Sequence, residues 1–378
     1  MIGWSGVLAR WPSGGRRWRY VLTGRRGRVD ARASPADVIH RWDLDKTYLK
    51  SDFESLRKMV RVPFERAEDK IDEPGVVALI RALKASARHQ GSCAFVYFIS
   101  ASPPQIGRAI RAKLALDGIE ADGIVFKNQI QHLVRGRFRY LREQVGFKLA
   151  ELLKARLAAP VDAVEFLYGD DWESDPLIYS LYADVIAGRL DTDALGDILV
   201  RLRIDPARLV EIKALSQRVP RADAVRRIFI NLERRTPPGR FHTFGARLVP
   251  TFNYFQTALV LHEERVVPLV AVVEVARSLI DRSGYTRERL RNSLEDLVRR
   301  GYLAPAAATV LRRELVEAGI VPGVRAGARW PRRVWRRVRR RARVASGPHA
   351  PAAWSAVDYP RLIDAWVAAG RRLGGETS

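Results

Sequence analysis

Between residues 36 and 190, short apolar runs alternate with longer segments whose apolar residues recur three and four positions apart. The short runs are Val38-Ile39 leading into Asp43, Ala94 to Ile99, Gly123 to Phe126 and Ala163 to Tyr168. Runs of this length, rich in β-branched and aromatic residues, read as strands. Gly75 to Ala87 and Gln105 to Leu116 lie between them, with the spacing of one-sided helices. Strand and helix in alternation is the pattern of a parallel sheet covered by helices, so the fold class expected is α/β. From 191 to 323 the strand signals fade and helical periodicity dominates. Thr286 to Leu303 is an example, with Leu290, Leu294 and Leu297 on one face and Gly301 as a stop. The expected organisation is a basic Arg/Trp-rich segment at 1–35, an α/β domain at 36–190, a mainly α-helical domain at 191–323 and an Arg-rich tail at 324–378.

Lys and Arg number 66 against 42 Asp and Glu, a formal charge of +24 that favours polyanionic partners. The single cysteine, Cys93, excludes an internal disulfide and a cysteine-based zinc cluster. Its place in the apolar run Cys93 to Ile99 suggests a buried structural thiol. The most apolar later run, Val266 to Ala276, contains Glu274 and falls short of the ~20 residues that span a bilayer. The first residues have too much Arg for a secretory signal. The expected location is cytoplasmic, with peripheral contact at the inner face of the membrane.

Chemistry concentrates at the ends of the strand-like runs. Asp43-Leu44-Asp45-Lys46-Thr47 follows the first, and two carboxylates two apart on a loop leaving a strand can face one phosphate. One is suited to attack phosphorus, the other to protonate the leaving oxygen and later deprotonate water. Ser100 ends the second run, where open α/β sheets bind ligands. Lys148, in Gly146-Phe147-Lys148, reads as the start of a helix, a position that disfavours a cation unless an anion is held there. After the last run comes Gly169-Asp170-Asp171-Trp172-Glu173-Ser174-Asp175-Pro176, a cluster of hard oxygens suited to Mg²⁺.

The order of these motifs (Asp pair, strand-Ser, helix-Lys, strand-Gly-Asp) resembles that of the haloacid dehalogenase superfamily. Residues 38 to 185 look like the catalytic domain of the actin-patch-type phosphatidate phosphatases and, more distantly, the lipins. Ser100-Ala101-Ser102-Pro103 resembles that family's Ser-Asn-Ser-Pro, and Gly118 and Gly123 match the glycines of its next loop. Gly169-Asp170 with Asp175-Pro176 and Tyr179 is similar to its Gly-Asp-Ser-x-x-x-Asp-Pro-x-x-Tyr. The sequence departs from the pattern at Lys46, Ala101 and Asp171, and His40 and Arg41 interrupt the first strand.

The resemblance implies a Rossmannoid parallel sheet without a large cap and a Mg²⁺-dependent phosphomonoesterase. Asp43 would be the nucleophile and Asp45 the general acid and base; Ser100 and Lys148 would hold the transferring oxygens. The Mg²⁺ ligands would be Asp43, Asp170 and the backbone carbonyl of Asp45, with Asp175 in support. The short gaps between motifs imply an open site, suited to a bulky substrate such as a phospholipid, a nucleic-acid end or a phosphoprotein. Arg325 to Arg343 reads as a basic amphipathic helix with Trp330 and Trp335 near its apolar face, as an anionic membrane interface would bind. Nucleic acid is the alternative partner, and an exposed tail without a partner the plainest one. Phosphatidate is therefore the expected substrate, a nucleic-acid-end phosphatase the first rival, and a non-catalytic scaffold binding polyanions the second.

Overall fold

The computed structural model describes residues 37–44, 47–48, 73–100, 107–127, 137–172, 174–323 and 356–364. Asp45, the N-terminal Arg/Trp-rich segment and the Arg-rich stretch 325–343 lie outside these residues.

The strands are β1 (Val38–Asp43), β2 (Ala94–Ser100), β3 (Gly123–Phe126), β4 (Val164–Asp170), β5 (Val225–Asn231) and β6 (Leu248–Thr251). They form one sheet in the order β3-β2-β1-β4-β5-β6, and each neighbouring pair is parallel. Helix α1 (Val76–His89) links β1 to β2, α2 (Gly107–Leu116) links β2 to β3, and α3 (Arg137–Ala158) returns to β4. Helices α4 (Asp175–Ile186), α5 (Thr192–Arg201) and α6 (Pro206–Arg218) lead to β5, and α7 (Tyr254–Glu263), α8 (Leu269–Ser283), α9 (Arg287–Arg300) and α10 (Pro305–Glu317) follow β6. The chain builds outward from β1 in one direction and then from β4 in the other. With right-handed crossovers, that reversal sends the helices to opposite faces. One apolar core therefore joins α1, α2 and α7–α10 to the sheet, and another joins α3–α6 to it.

The sheet runs past residue 190, which corrects the expectation of a separate helical domain at 191–323. Both β5 and β6 come from that segment. The first carries the exposed Arg226 and half-buried Arg227 directly after its opening Val225, and these hide its strand pattern. The second is four residues long and contains Pro250. A proline is tolerated there because β6 is an edge strand. Segment 359–364 is helical, and its Tyr359 and Ile363 are buried in the α3–α6 core. The Tyr359 hydroxyl donates to Asp184 at 2.6 Å, so this part of the tail packs against the fold. Cys93 is exposed, contrary to the buried thiol expected, because it lies just before β2 begins. No helix among the described residues is long and apolar enough to cross a membrane.

Alternation along β1 explains how its polar residues are accommodated. His40 and Trp42 face the α1/α7 side; Arg41 and Asp43 face the α3/α4 side. The Trp42 ring stacks on Tyr168 with centroids 3.8 Å apart, and Tyr168 stacks on Phe229, so an aromatic row crosses β1, β4 and β5. His40 joins that row beside Phe166 and shares a hydrogen bond with the Tyr168 hydroxyl at 2.8 Å. On the other side, Arg41 binds Glu165 through two hydrogen bonds, and Arg156 of α3 and Tyr182 of α4 bind the same carboxylate. Arg156 also donates to the carbonyls of Pro160 and Val161.

Two stability predictions follow from these buried groups. Desolvation works to raise the Glu165 pKa, but the Arg41 charge and hydrogen bonds, Arg156 and Tyr182 outweigh it and hold it below the ordinary 4.5. Its contribution is present above that pH and is lost as the pH falls through the depressed folded value. Glu165→Gln leaves two buried guanidiniums without their anion and should cost about 3 kcal/mol in urea unfolding at pH 7. Burial pushes His40 down from 6.5 to about 3, so the unfolded chain takes up a proton that the folded one refuses. Between those two pH values the wild type should lose about 1.4 kcal/mol per pH unit relative to His40→Gln, read from unfolding midpoints across that range.

Candidate active site

In a sheet whose strand order reverses, the crevice at the carboxyl ends of the two strands flanking the reversal is the natural ligand site. Those strands are β1 and β4, and each ends in an aspartate: Asp43 and Asp170. Ser100 ends β2, the neighbour of β1 on the other side, where Asp43 pairs in register with Ile99. All three are buried.

A fourth residue is brought in by a tight turn. After β4 the chain reverses within four residues and starts α4 at Asp175, with Pro176 in the first helical turn. Gly169 makes this close return feasible. A Cβ there would lie 2.5 Å from Asp175 Oδ2 and 2.8 Å from Tyr179 Cε2, closer than atoms can approach. Asp175 Oδ2 accepts from the Asp170 backbone N–H at 3.4 Å, and Asp170 Oδ1 accepts from the Trp172 N–H at 2.7 Å. The Tyr179 hydroxyl donates to the Tyr168 carbonyl at 3.2 Å. Burial, and after it the nearby Asp175 carboxylate, holds that phenol neutral, well above its ordinary range.

Lys148 reaches this cluster from α3. Its Nζ is 2.7 Å from Asp43 Oδ1 and 2.6 Å from Asp175 Oδ1, with all three side chains fully buried. The helix-start position expected for Lys148 is corrected: α3 begins at Arg137, so Lys148 is in the helix interior and the helix-dipole argument does not apply. Gly146 is not a helix start either. A Cβ at 146 would lie 3.0 Å from Arg208 Cγ and 3.3 Å from Ile204 Cγ2, so the glycine lets α6 and the turn before it pack against α3. What places Lys148 is the pair of carboxylates it bridges.

Oxygens of Asp43, Asp170 and Asp175 lie within 4.8 Å of one another. Three carboxylates this close oppose one another's ionisation unless cations join them, and Lys148 supplies one such charge. A set of hard carboxylate oxygens suits a divalent cation of the Mg²⁺ or Ca²⁺ type. The cluster is therefore narrower than the acidic run expected from sequence. Asp171 turns away: its carboxylate accepts from the backbone N–H groups of Arg234 and Thr236 at 2.9 and 3.0 Å, tying down the loop after β5. Glu173 lies outside the described residues.

The loop after Asp43 is held from far along the chain. The Tyr254 hydroxyl, from α7, donates to the Thr47 carbonyl. Burial, and then the Glu73, Asp170 and Asp43 charges, keep this phenol well above its ordinary pKa. Nothing local in the sequence marks Tyr254. The Arg234 guanidinium covers the Trp172 ring, 4.5 Å from its centroid, at the edge of the same turn.

A scan against protein-family models and a search of curated proteins each return no match to this chain.

Gly169→Ala should push Asp175 away from the other two carboxylates. We expect its Mg²⁺ affinity, measured by calorimetry, to fall roughly 10-fold or more relative to wild type. An unchanged affinity in a folded variant would contradict the role given to this glycine.

Proposed function

We propose that this chain is a Mg²⁺-dependent phosphatase of the haloacid dehalogenase type that hydrolyses a phosphomonoester through an aspartyl-phosphate on Asp43. One observation supports it most: a buried lysine bridging two aspartates, with a third at the end of the adjacent strand. Phosphoryl transfer is mostly positioning and electrostatics, and this arrangement offers both.

The strand order also suits dinucleotide binding, but that chemistry needs a glycine-rich turn directly after β1. Here β1 runs into Asp43-Leu44-Asp45, and the next glycine in the chain is Gly75. A carboxylate at that point would repel a pyrophosphate and is suited to attack a phosphorus atom instead.

In the reaction envisaged, an Asp43 oxygen forms a bond to phosphorus as the bond to the ester oxygen breaks. Asp45 gives its proton to the departing alcohol. Asp45 then takes a proton from water, whose oxygen attacks the same phosphorus and returns Asp43 as a carboxylate, releasing inorganic phosphate. Lys148 holds Asp43 in line and offsets charge gathering on the transferring group, and Ser100 donates to one of its oxygens. A Mg²⁺ ion, held by Asp43, Asp170 and the Asp45 carbonyl with Asp175 in support, would supply Lewis-acid stabilisation of that charge.

The substrate proposed is phosphatidate or a related anionic lipid. The support is the resemblance of Ser100 to Pro103 and of Gly169 to Tyr179 to the phosphatidate phosphatases, together with the formal charge of +24. Anionic membrane contact through the basic tail at the cytoplasmic face belongs to the same proposal.

Phosphate release from phosphatidate in mixed micelles with Mg²⁺ tests it. Wild type should turn over, and Asp43→Asn or EDTA should reduce the rate at least about a thousandfold. Asp43-dependent release from an aryl phosphate but none from phosphatidate would remove the lipid assignment and favour nucleic-acid ends. No release from either would remove the enzyme reading.

A further inference from the structure

Helix α3 carries a buried polar stripe. Gln144, Lys148, Leu152 and Arg156 are spaced four apart, so they stack on one face of the helix, and all four are fully buried. Helix α3 runs antiparallel to the strands, so its early turns lie at their carboxyl edge and its late turns at the amino edge. Arg156, at the amino edge, is engaged by Glu165, Pro160 and Val161. Lys148 bridges Asp43 and Asp175 at the other end. Gln144 is one turn further toward the carboxyl edge, beyond Lys148 on the crevice side.

Among the described residues, neither Nε2 nor Oε1 of Gln144 has a hydrogen-bond partner, although both atoms are buried. Leaving such an amide unsatisfied costs about 1–3 kcal/mol per group, a cost that folded proteins rarely bear without a use for it. Two more buried hydroxyls without partners among the described residues adjoin site residues along the chain: Thr47 Oγ, in the loop after Asp43, and Ser174 Oγ, directly before Asp175. Ser174 is the N-cap residue of α4, yet its side chain makes no capping bond. At the amino edge, Arg156 and Arg41 share the Glu165 carboxylate. At the carboxyl edge, the Gln144 amide is buried and unsatisfied among the described residues, one helical turn from the Lys148 that bridges Asp43 and Asp175.

We infer that Gln144 binds the phosphoryl group: its Nε2–H donates to a non-bridging oxygen of the tetrahedral anion held beside Lys148, with Thr47 and Ser174 as neighbouring donors. The inference rests on the phosphate-site reading above and adds a neutral recognition residue to it. A carboxamide is suited to the position. It gives the anion a directed N–H without adding a second cation that would compete with Lys148 for Asp43. Its Oε1 remains to accept from a hydroxyl of the ligand or from water.

A residue kept for a ligand, at a cost to the fold, gives a result that a packing residue does not. Gln144→Leu removes the unsatisfied amide, so its melting temperature should rise by roughly 2–4 °C. Its dissociation constant for inorganic phosphate, measured by calorimetry at saturating Mg²⁺, should increase roughly 10- to 100-fold. Its affinity for Mg²⁺ alone should stay within about twofold of wild type. Gln144→Glu keeps the shape and sets a carboxylate against the anion, so phosphate binding should weaken further. Unchanged phosphate affinity in either variant would overturn the inference. So would a wild type that binds no phosphate, or a loss confined to Mg²⁺ binding. The two readings fail separately. Gln144-dependent phosphate binding in a protein that never turns over would leave this inference and remove the hydrolytic one. Asp43-dependent turnover with Gln144-independent phosphate binding would remove this one alone.

Discussion

A lysine ammonium with no access to water has to be surrounded by negative charge, and Lys148 obtains it from two elements that are far apart in the chain. Asp43 comes from the end of β1 and Asp175 from the first turn of α4, with the ammonium within 2.7 Å of both. Dehydrating that ion costs several kcal/mol, which the two carboxylates offset only if all three backbones are in place. The contact thus requires β1, α3 and α4 to be positioned together. Gly169 permits α4 to fold back against β4, and Gly146 permits α6 to support α3 from behind. The third carboxylate, Asp170, follows directly from the parallel pairing of β4 with β1.

The same helix serves a second buried charge system with a different physical character. At the amino edge, Glu165 is surrounded by Arg41, Arg156 and Tyr182, and the carbonyls of Pro160 and Val161 take further donors. That network joins α3 and α4 to the sheet through one shared carboxylate. At the carboxyl edge, Asp43, Asp170 and Asp175 gather around Lys148, and among the described residues the amide of Gln144 and the hydroxyls of Thr47 and Ser174 have no hydrogen-bond partners. Buried polar groups left unsatisfied cost stability, and binding sites commonly carry that cost.

Much of this arrangement is legible along the chain. The four strand-like runs before residue 190 correspond to β1 through β4, because each is a short β-branched or aromatic run bounded by turn residues. Gly301 ends α9 where the sequence places a stop, in the left-handed conformation, while at the other end Thr286 accepts from the Arg289 N–H. Asp43, Ser100, Asp170 and Asp175 could be picked out because each adjoins a strand end or a glycine turn, and Lys148 because its place in the motif order resembles a known pattern. What stayed hidden depends on tertiary context. Pro250 and the Arg pair at 226–227 obscure β5 and β6, whose strand character comes from the sheet edge they complete. The full length of α3 is hidden because Gly146 looks like a boundary until α6 is seen behind it. Asp171 has the composition of a ligand, but the backbone N–H groups of Arg234 and Thr236 claim its carboxylate. Gln144 is conspicuous only after its burial is known.

The central claim is that Asp43 becomes covalently phosphorylated, and trapping that bond tests it most directly. Protein mixed with a phosphomonoester and Mg²⁺, quenched during turnover and reduced with borohydride, would convert an aspartyl-phosphate to homoserine. Peptide mass spectrometry should then find homoserine at position 43 and nowhere else, and none when Mg²⁺ is withheld. Steady turnover with Asp43 unmodified under these conditions, or the modification at another aspartate, would contradict the account.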